Sequence, residues 1–135
     1  ESCTTHFIQY GGIAGLKASK KETQDILDKL RIRRDILVKT LNGIEGVEAH
    51  SPEAGFYVFP KITKLMERIG FEDVEEFRKA VLKDTGVSFC GRHHFGRPLD
   101  KENDSYIRLA FSGIGKNDLK EGMDLFQNWI KDREE

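Results

Sequence analysis

One stretch of eight residues constrains the fold more than any other. Along Ser105-Tyr-Ile-Arg-Leu-Ala-Phe-Ser112 the side chains alternate cleanly. Ile107, Leu109 and Phe111 share one face of a strand; Tyr106, Arg108, Ala110 and Ser112 share the other. The first face belongs to a core. The second is mixed, with Arg108 at its centre, so the strand fits a sheet covered on one side only.

The cover is legible as amphipathic helices. Within Lys20–Leu41, Ile26, Leu30, Leu37 and Leu41 recur near helical spacing, Leu27 and Ile36 widen the stripe, and Asn42-Gly43 ends it. Asp73 caps a second helix, with Glu76 placed as in a capping box; Val74, Phe77 and Val81 form its stripe and Gly86 its end. Leu119, Met123, Phe126 and Ile130 line one face of a last helix. Thr63–Arg68 is at most a short helical turn, broken at Gly70.

Val47–Pro60 reads as a hairpin: a strand over Val47–His50, a turn through Ser51-Pro52-Glu53-Ala54-Gly55, and a strand over Phe56–Phe59 stopped by Pro60. Val87–Cys90 is a further short strand. The order is helix, helix, two strands, helix, two strands, helix. It predicts an α+β fold, with a small mixed or antiparallel sheet of about four strands covered by helices on one face.

The chain is long enough for this. A compact fold of 135 residues buries roughly two-thirds of the surface its unfolded chain exposes. Hydrophobic residues make up 38% and charged residues 33%, a globular balance. The formal charge of -1 gives no reason to expect nucleic acid or an anionic membrane as partner. No apolar run approaches the ~20 residues of a membrane helix. Two cysteines, Cys3 and Cys90, are too few for a disulfide scaffold, so a reducing cytoplasm is the expectation.

The N-terminal stretch Ser2–Leu16 stands apart. It is short on charge and carries Gly11, Gly12 and Gly15 in a segment that Thr4 or Thr5 can cap as a helix. Each glycine costs such a helix about 1 kcal/mol relative to alanine, so the helix is expected to pack closely on something. The abrupt start at Glu1, inside an element, suggests a piece of something longer.

Arg108 is the residue with a chemical reading. A solvent-facing arginine is the plain alternative. The functional reading is an anion clamp: a planar guanidinium grips a carboxylate with two parallel hydrogen bonds, and a mid-strand position keeps it rigid. Other candidates are weaker. Cys3-x-x-His6 with Cys90-x-x-His93-His94 lacks the local sequence of a zinc site. The loop Gly91–Asp104, with Arg92, His93, His94 and Arg97, reads as solvated. Lys20 has nothing to desolvate it as an imine-forming lysine. No nucleophile triad, paired carboxylates or phosphate loop is present, and the Gly11–Gly15 run is not a dinucleotide fingerprint, because no strand precedes it.

Five segments, in order, carry a resemblance. Ser2–Gln9 with Ala14-Gly-Leu16 resembles a Ser…Gln-x-Ala…Ala-Leu helix. Arg33-Arg-Asp35, Leu41-Asn42 and Gly46-Val47 resemble a long interdomain helix and its exit. Pro52–Pro60 is similar to a Pro-x-Gly-Ala-Phe-Tyr strand, with Ala54 and Gly55 transposed. Gly86-Val-Ser…Gly91…Phe95-Gly96 is similar to a Gly-Val…Pro-Gly…Phe-Gly loop, with Cys90 where proline is usual. Tyr106–Ser112 resembles an Arg-Leu-x-Phe-Ala strand. Together they resemble the C-terminal part of class I/II aminotransferases, the fold-type I enzymes that use pyridoxal phosphate, in their aspartate-aminotransferase-like branch.

The resemblance implies that residues 20–135 are the small C-terminal domain and residues 1–19 a remnant of the large-domain and interdomain region. It implies that Arg108 binds the α-carboxylate of an amino-acid or 2-oxo-acid substrate. Pyridoxal 5'-phosphate, its lysine and its phosphate cup are implied for an N-terminal large domain, so these residues are expected to supply no catalytic, cofactor-binding or metal-binding side chain and to be inactive alone. A homodimer is implied for the intact enzyme. The alternatives are a free-standing carboxylate- or protein-binding module with the same fold and, less well supported, a metal module built on Cys3, His6, Cys90 and His93.

Overall fold

A computed structural model describes residues 3–97 and 100–134. Glu1 and Ser2 of the N-terminal motif, and Pro98 and Leu99 of the Gly91–Asp104 loop, lie outside the described residues. The elements run α1 (His6–Lys17), α2 (Lys20–Asn42), β1 (Tyr57–Val58), α3 (Thr63–Arg68), α4 (Val74–Thr85), β2 (Cys90–Gly91), a 3-10 helix (Arg92–Phe95), β3 (Ile107–Ala110) and α5 (Lys116–Lys131). The architecture is α+β. The strand predicted over Tyr106–Ser112 forms the middle of an antiparallel sheet of order β1-β3-β2. Tyr57 pairs with Ala110 and Val58 with Leu109 on one side; Cys90 pairs with Arg108 and Gly91 with Ile107 on the other.

The sheet has three strands, not about four, and beside the missing one Asn42 binds the backbone. Its side-chain amide donates to Ala49 O and its carbonyl accepts from Ala49 N–H, each at 2.8 Å. The Ala49 backbone groups are thereby taken, while those of Glu48, on the opposite edge, pair with Lys61. What remains of the expected hairpin is one antiparallel bridge, Glu48 to Lys61, beyond Pro60. The strands are also shorter than their sequence patterns: Phe56 and Phe59 flank a two-residue ladder.

The two faces of β3 behave as the alternation requires. Ile107, Leu109 and Phe111 are buried, whereas Arg108 is half-buried and Ala110 exposed. Against the buried face lie Leu37 and Leu41 of α2, Phe77 and Val81 of α4, and Leu119, Met123, Phe126, Trp129 and Ile130 of α5. Phe77 is the hub, with the rings of Phe71, Phe89, Phe126 and Trp129 at centroid distances of 5.6, 5.6, 6.2 and 5.8 Å. Such edge-on and tilted aromatic pairs add about 0.5–1.5 kcal/mol each beyond simple area burial.

Local signals explain the helix ends. Asp73 accepts from the Glu75 and Glu76 backbone N–H groups at the start of α4, and Gly86 closes α4 in the left-handed region at φ 74°. Gly46, at φ 82°, turns the chain where a Cβ would lie 2.6 Å from Leu65 N, so only glycine lets α3 start there.

The first half of α2 departs from its stripe. Leu37 and Leu41 are fully buried, but Ile26 and Leu27 are exposed, so the described core covers only the C-terminal half of α2. α1 carries the same pattern further. It buries no residue, leaves Phe7 at 73% and Leu16 at 90% exposure, and has open space around Gly11, Gly12 and Gly15. The close partner its glycines call for is not among the described residues. No helix of the described residues is long and apolar enough to cross a membrane.

Candidate functional site

The uncovered face of the sheet gathers aromatic rings around one cation. Antiparallel pairing puts Tyr57 opposite Ala110, and hence on the face of Arg108, one step along the strand. The Arg108 guanidinium carbon lies 4.1 Å from the Tyr57 ring centroid and 3.8 Å from that of Phe95. Phe59 packs edge-on to Phe95 at 6.3 Å and stacks on Tyr106 at 5.7 Å, which extends the aromatic floor.

Phe95 reaches this position because the 3-10 helix is tied down. Arg92 donates through Nε to Glu102 at 3.0 Å, and through its other nitrogens to the carbonyls of Gly96 and Arg97. Its backbone N–H donates to Tyr106 O at 3.1 Å. Arg92, read from the sequence as part of a solvated loop, is therefore the clasp of that loop. Nothing in its local sequence indicates this, since Glu102 lies across an irregular stretch.

Arg108 makes no hydrogen bond or ion pair among the described residues. That separates it from the arginines around it. Arg33 donates to Ser112 O at 2.7 Å, Arg34 to Asp35, Arg78 to Glu75 and Arg133 to Asp84. Aromatic faces contact the flat surfaces of the Arg108 guanidinium and leave its in-plane N–H donors free. Such a group is prepared for a planar anion, and a carboxylate matches its fork.

Two lysines among the described residues lack the setting of an imine-forming group. Lys61, which bridges to Tyr106 beside Arg108, has its Nζ 2.8 Å from Asp104 Oδ1. The hydrogen bond it donates to Asp104 raises its pKa, the reverse of what an imine-forming lysine requires. Lys20 is exposed at the start of α2, after Ser19. Cys3 and Cys90 are both free thiols. Among the described residues, Cys3 and His6 join no ligand group with Cys90 and His93.

No family model matches the chain. Individual proteins do. It is 36% identical over 111 residues to an aspartate aminotransferase of Musicola paradisiaca, covering 82% of this chain and 26% of that protein. It is 28% identical over 129 residues to an aspartate aminotransferase of Sulfurisphaera tokodaii, covering 96% of this chain and 31% of that protein. The fold superposes on an alanine aminotransferase from Pyrococcus furiosus with a TM-score of 0.83 and 30% identity, over 96% of this chain and 31% of that one.

The chain is similar to aminotransferases along most of its own length. It spans between a quarter and a third of the length of these relatives, 26–31%. This aminotransferase-like segment has the expected α+β architecture, with the Arg108 strand in the middle of its sheet.

Proposed function

We propose that the intact protein is a pyridoxal-phosphate-dependent aminotransferase moving an amino group between an amino acid and a 2-oxo acid. This segment serves it as the small C-terminal domain. The observation that carries the reading is Arg108: half-buried, held between Tyr57 and Phe95, and without a carboxylate partner among the described residues. In this role its fork binds the substrate α-carboxylate and fixes the orientation of the α-carbon.

The cofactor supplies the electron sink when bound, and this segment supplies none of its contacts. The aromatic rings beside Arg108 exclude water from the carboxylate side of the substrate. Domain closure then brings that face over the site. Residues 1–19 act as part of the link to a large domain, which offers a partner for the exposed apolar side chains of α1. The intact enzyme is a cytoplasmic homodimer in this reading, and the segment alone is inactive.

The test is Arg108→Leu in the intact enzyme. Losing two charge-assisted hydrogen bonds, each about 1.5–3 kcal/mol, lowers kcat/KM for amino acids by on the order of a hundredfold or more, with cofactor content unchanged. Unchanged kcat/KM would sink the assignment. A free-standing carboxylate-binding module is the second reading, since the Arg108 slot alone serves it; α1, with Phe7 and Leu16 exposed, suits it less well.

A further inference from the structure

Three side chains outside the Arg108 slot converge where the 3-10 helix passes the first turn of α4. One ligand atom each from Glu75, His93 and His94 lies within 4.8 Å of the other two. His93 Nε2 is 3.5 Å from Glu75 Oε2. Nitrogen and oxygen atoms bound at about 2.0–2.2 Å around a tetrahedral zinc ion stand roughly 3.3–3.5 Å apart. The His93–Glu75 edge already has that spacing. The other edges close by rotation of two exposed imidazole rings.

Each ligand is held by a neighbour. Glu75 follows the Asp73 cap, and Arg78 donates to both its oxygens, Nε to Oε2 at 2.8 Å and a second nitrogen to Oε1 at 2.5 Å, with Lys79 Nζ 3.7 Å from Oε1; this fixes the carboxylate, and each oxygen keeps a further lone pair. His94 Nδ1 lies 3.2 Å from Gly91 O; donating there directs the free lone pair to Nε2. His93 lies tight over Gly91, where a Cβ would come within 2.9 Å of its ring. The two imidazoles stand 4.0 Å apart, centroid to centroid. Supporting partners of this kind orient the ligands of metal sites.

We propose that Glu75, His93 and His94 form a binding site for a divalent cation of the zinc class, with the fourth position open to water. Two imidazoles and one carboxylate suit zinc and its late-transition-metal neighbours. Magnesium and calcium, which require a shell of oxygens, are poorly served. The pattern is invisible to spacing in the sequence, because Glu75 stands on α4 and the histidines follow β2.

The test is calorimetric titration of the untagged chain with zinc chloride. One equivalent binds the wild type. His93→Ala, His94→Ala and Glu75→Gln each weaken binding by at least about tenfold, and the double histidine variant loses it. Cobalt(II) gives a d–d spectrum without thiolate charge transfer, and magnesium gives no heat. Circular dichroism keeps the comparison to folded variants. Absence of stoichiometric zinc on the wild type overturns the proposal. So does full zinc binding by the double histidine variant, or loss of zinc on Cys3→Ser and Cys90→Ser instead.

Discussion

The Phe95 ring, on the 3-10 helix that follows β2, caps the Arg108 guanidinium at 3.8 Å. The contact joins a mobile cationic side chain to a loop held by Arg92. It converts a flexible group into an oriented one before any ligand arrives, and orientation of the fork is what a bidentate contact needs.

Removing that ring therefore lowers affinity for the carboxylate without removing the charge. In the intact enzyme, Phe95→Ala reduces kcat/KM for amino acids by roughly 2–30-fold, the range of about 0.5–2 kcal/mol for a cation over an aromatic face. Phe95→Tyr restores most of it. Steady-state kinetics across the two variants checks this; equal rates for wild type and Phe95→Ala would show that the ring does not orient Arg108.

Gly46 permits no side chain. Its φ of 82° and the 2.6 Å approach of Leu65 N to a built Cβ mean that Gly46→Ala strains the backbone and displaces the start of α3. The variant loses at least about 1 kcal/mol of stability, and more if α3 cannot shift. Chemical denaturation reads the loss. Gly70→Ala, with a similar φ but open space around its Cβ, costs less.

Acid stability follows Glu75. The hydrogen bonds from Arg78 hold its pKa near about 2, below the ordinary value of 4.5. A depressed carboxylate contributes stability that is complete above its unfolded pKa and fades as pH falls through its folded one. The wild type thus loses this contribution progressively from about pH 4.5 down to about pH 2. Glu75→Gln is less stable than wild type above that window, and the difference narrows within it. Thermal midpoints measured across this range check the sign.

Deleting residues 1–19 leaves the rest of the fold nearly as stable as before. α1 buries no residue, so the change stays within about 0.5 kcal/mol. Denaturant titration of the shortened chain tests this, and a loss of several kcal/mol would mean that α1 packs on the fold after all.

Much of the fold was legible because its signals are local. Asp73 and Gly86 bracket α4, and the stripe Leu119, Met123, Phe126 and Ile130 is buried in α5 as its spacing requires. The missing strand was not legible. Val47–His50 has a strand-like pattern, but only Glu48 pairs, with Lys61, while Ala49 gives both polar backbone groups to the Asn42 amide, contacts that no propensity encodes. The exposed N-terminal half of α2 fails for a related reason: periodicity defines an apolar stripe, not the element that covers it.

By itself the sequence determined the two-faced strand, and with it the placing of Arg108 on the face away from the core. A period of two leaves a mid-strand residue no other choice once its neighbours are buried. Only the tertiary structure decided what surrounds that arginine. Tyr57 comes from the antiparallel partner β1 and Phe95 from a helix clasped by Arg92, and both arrive through pairings between distant segments. The same holds for Glu75 beside His93 and His94. Local chemistry sets where a side chain points; chain topology sets what it meets.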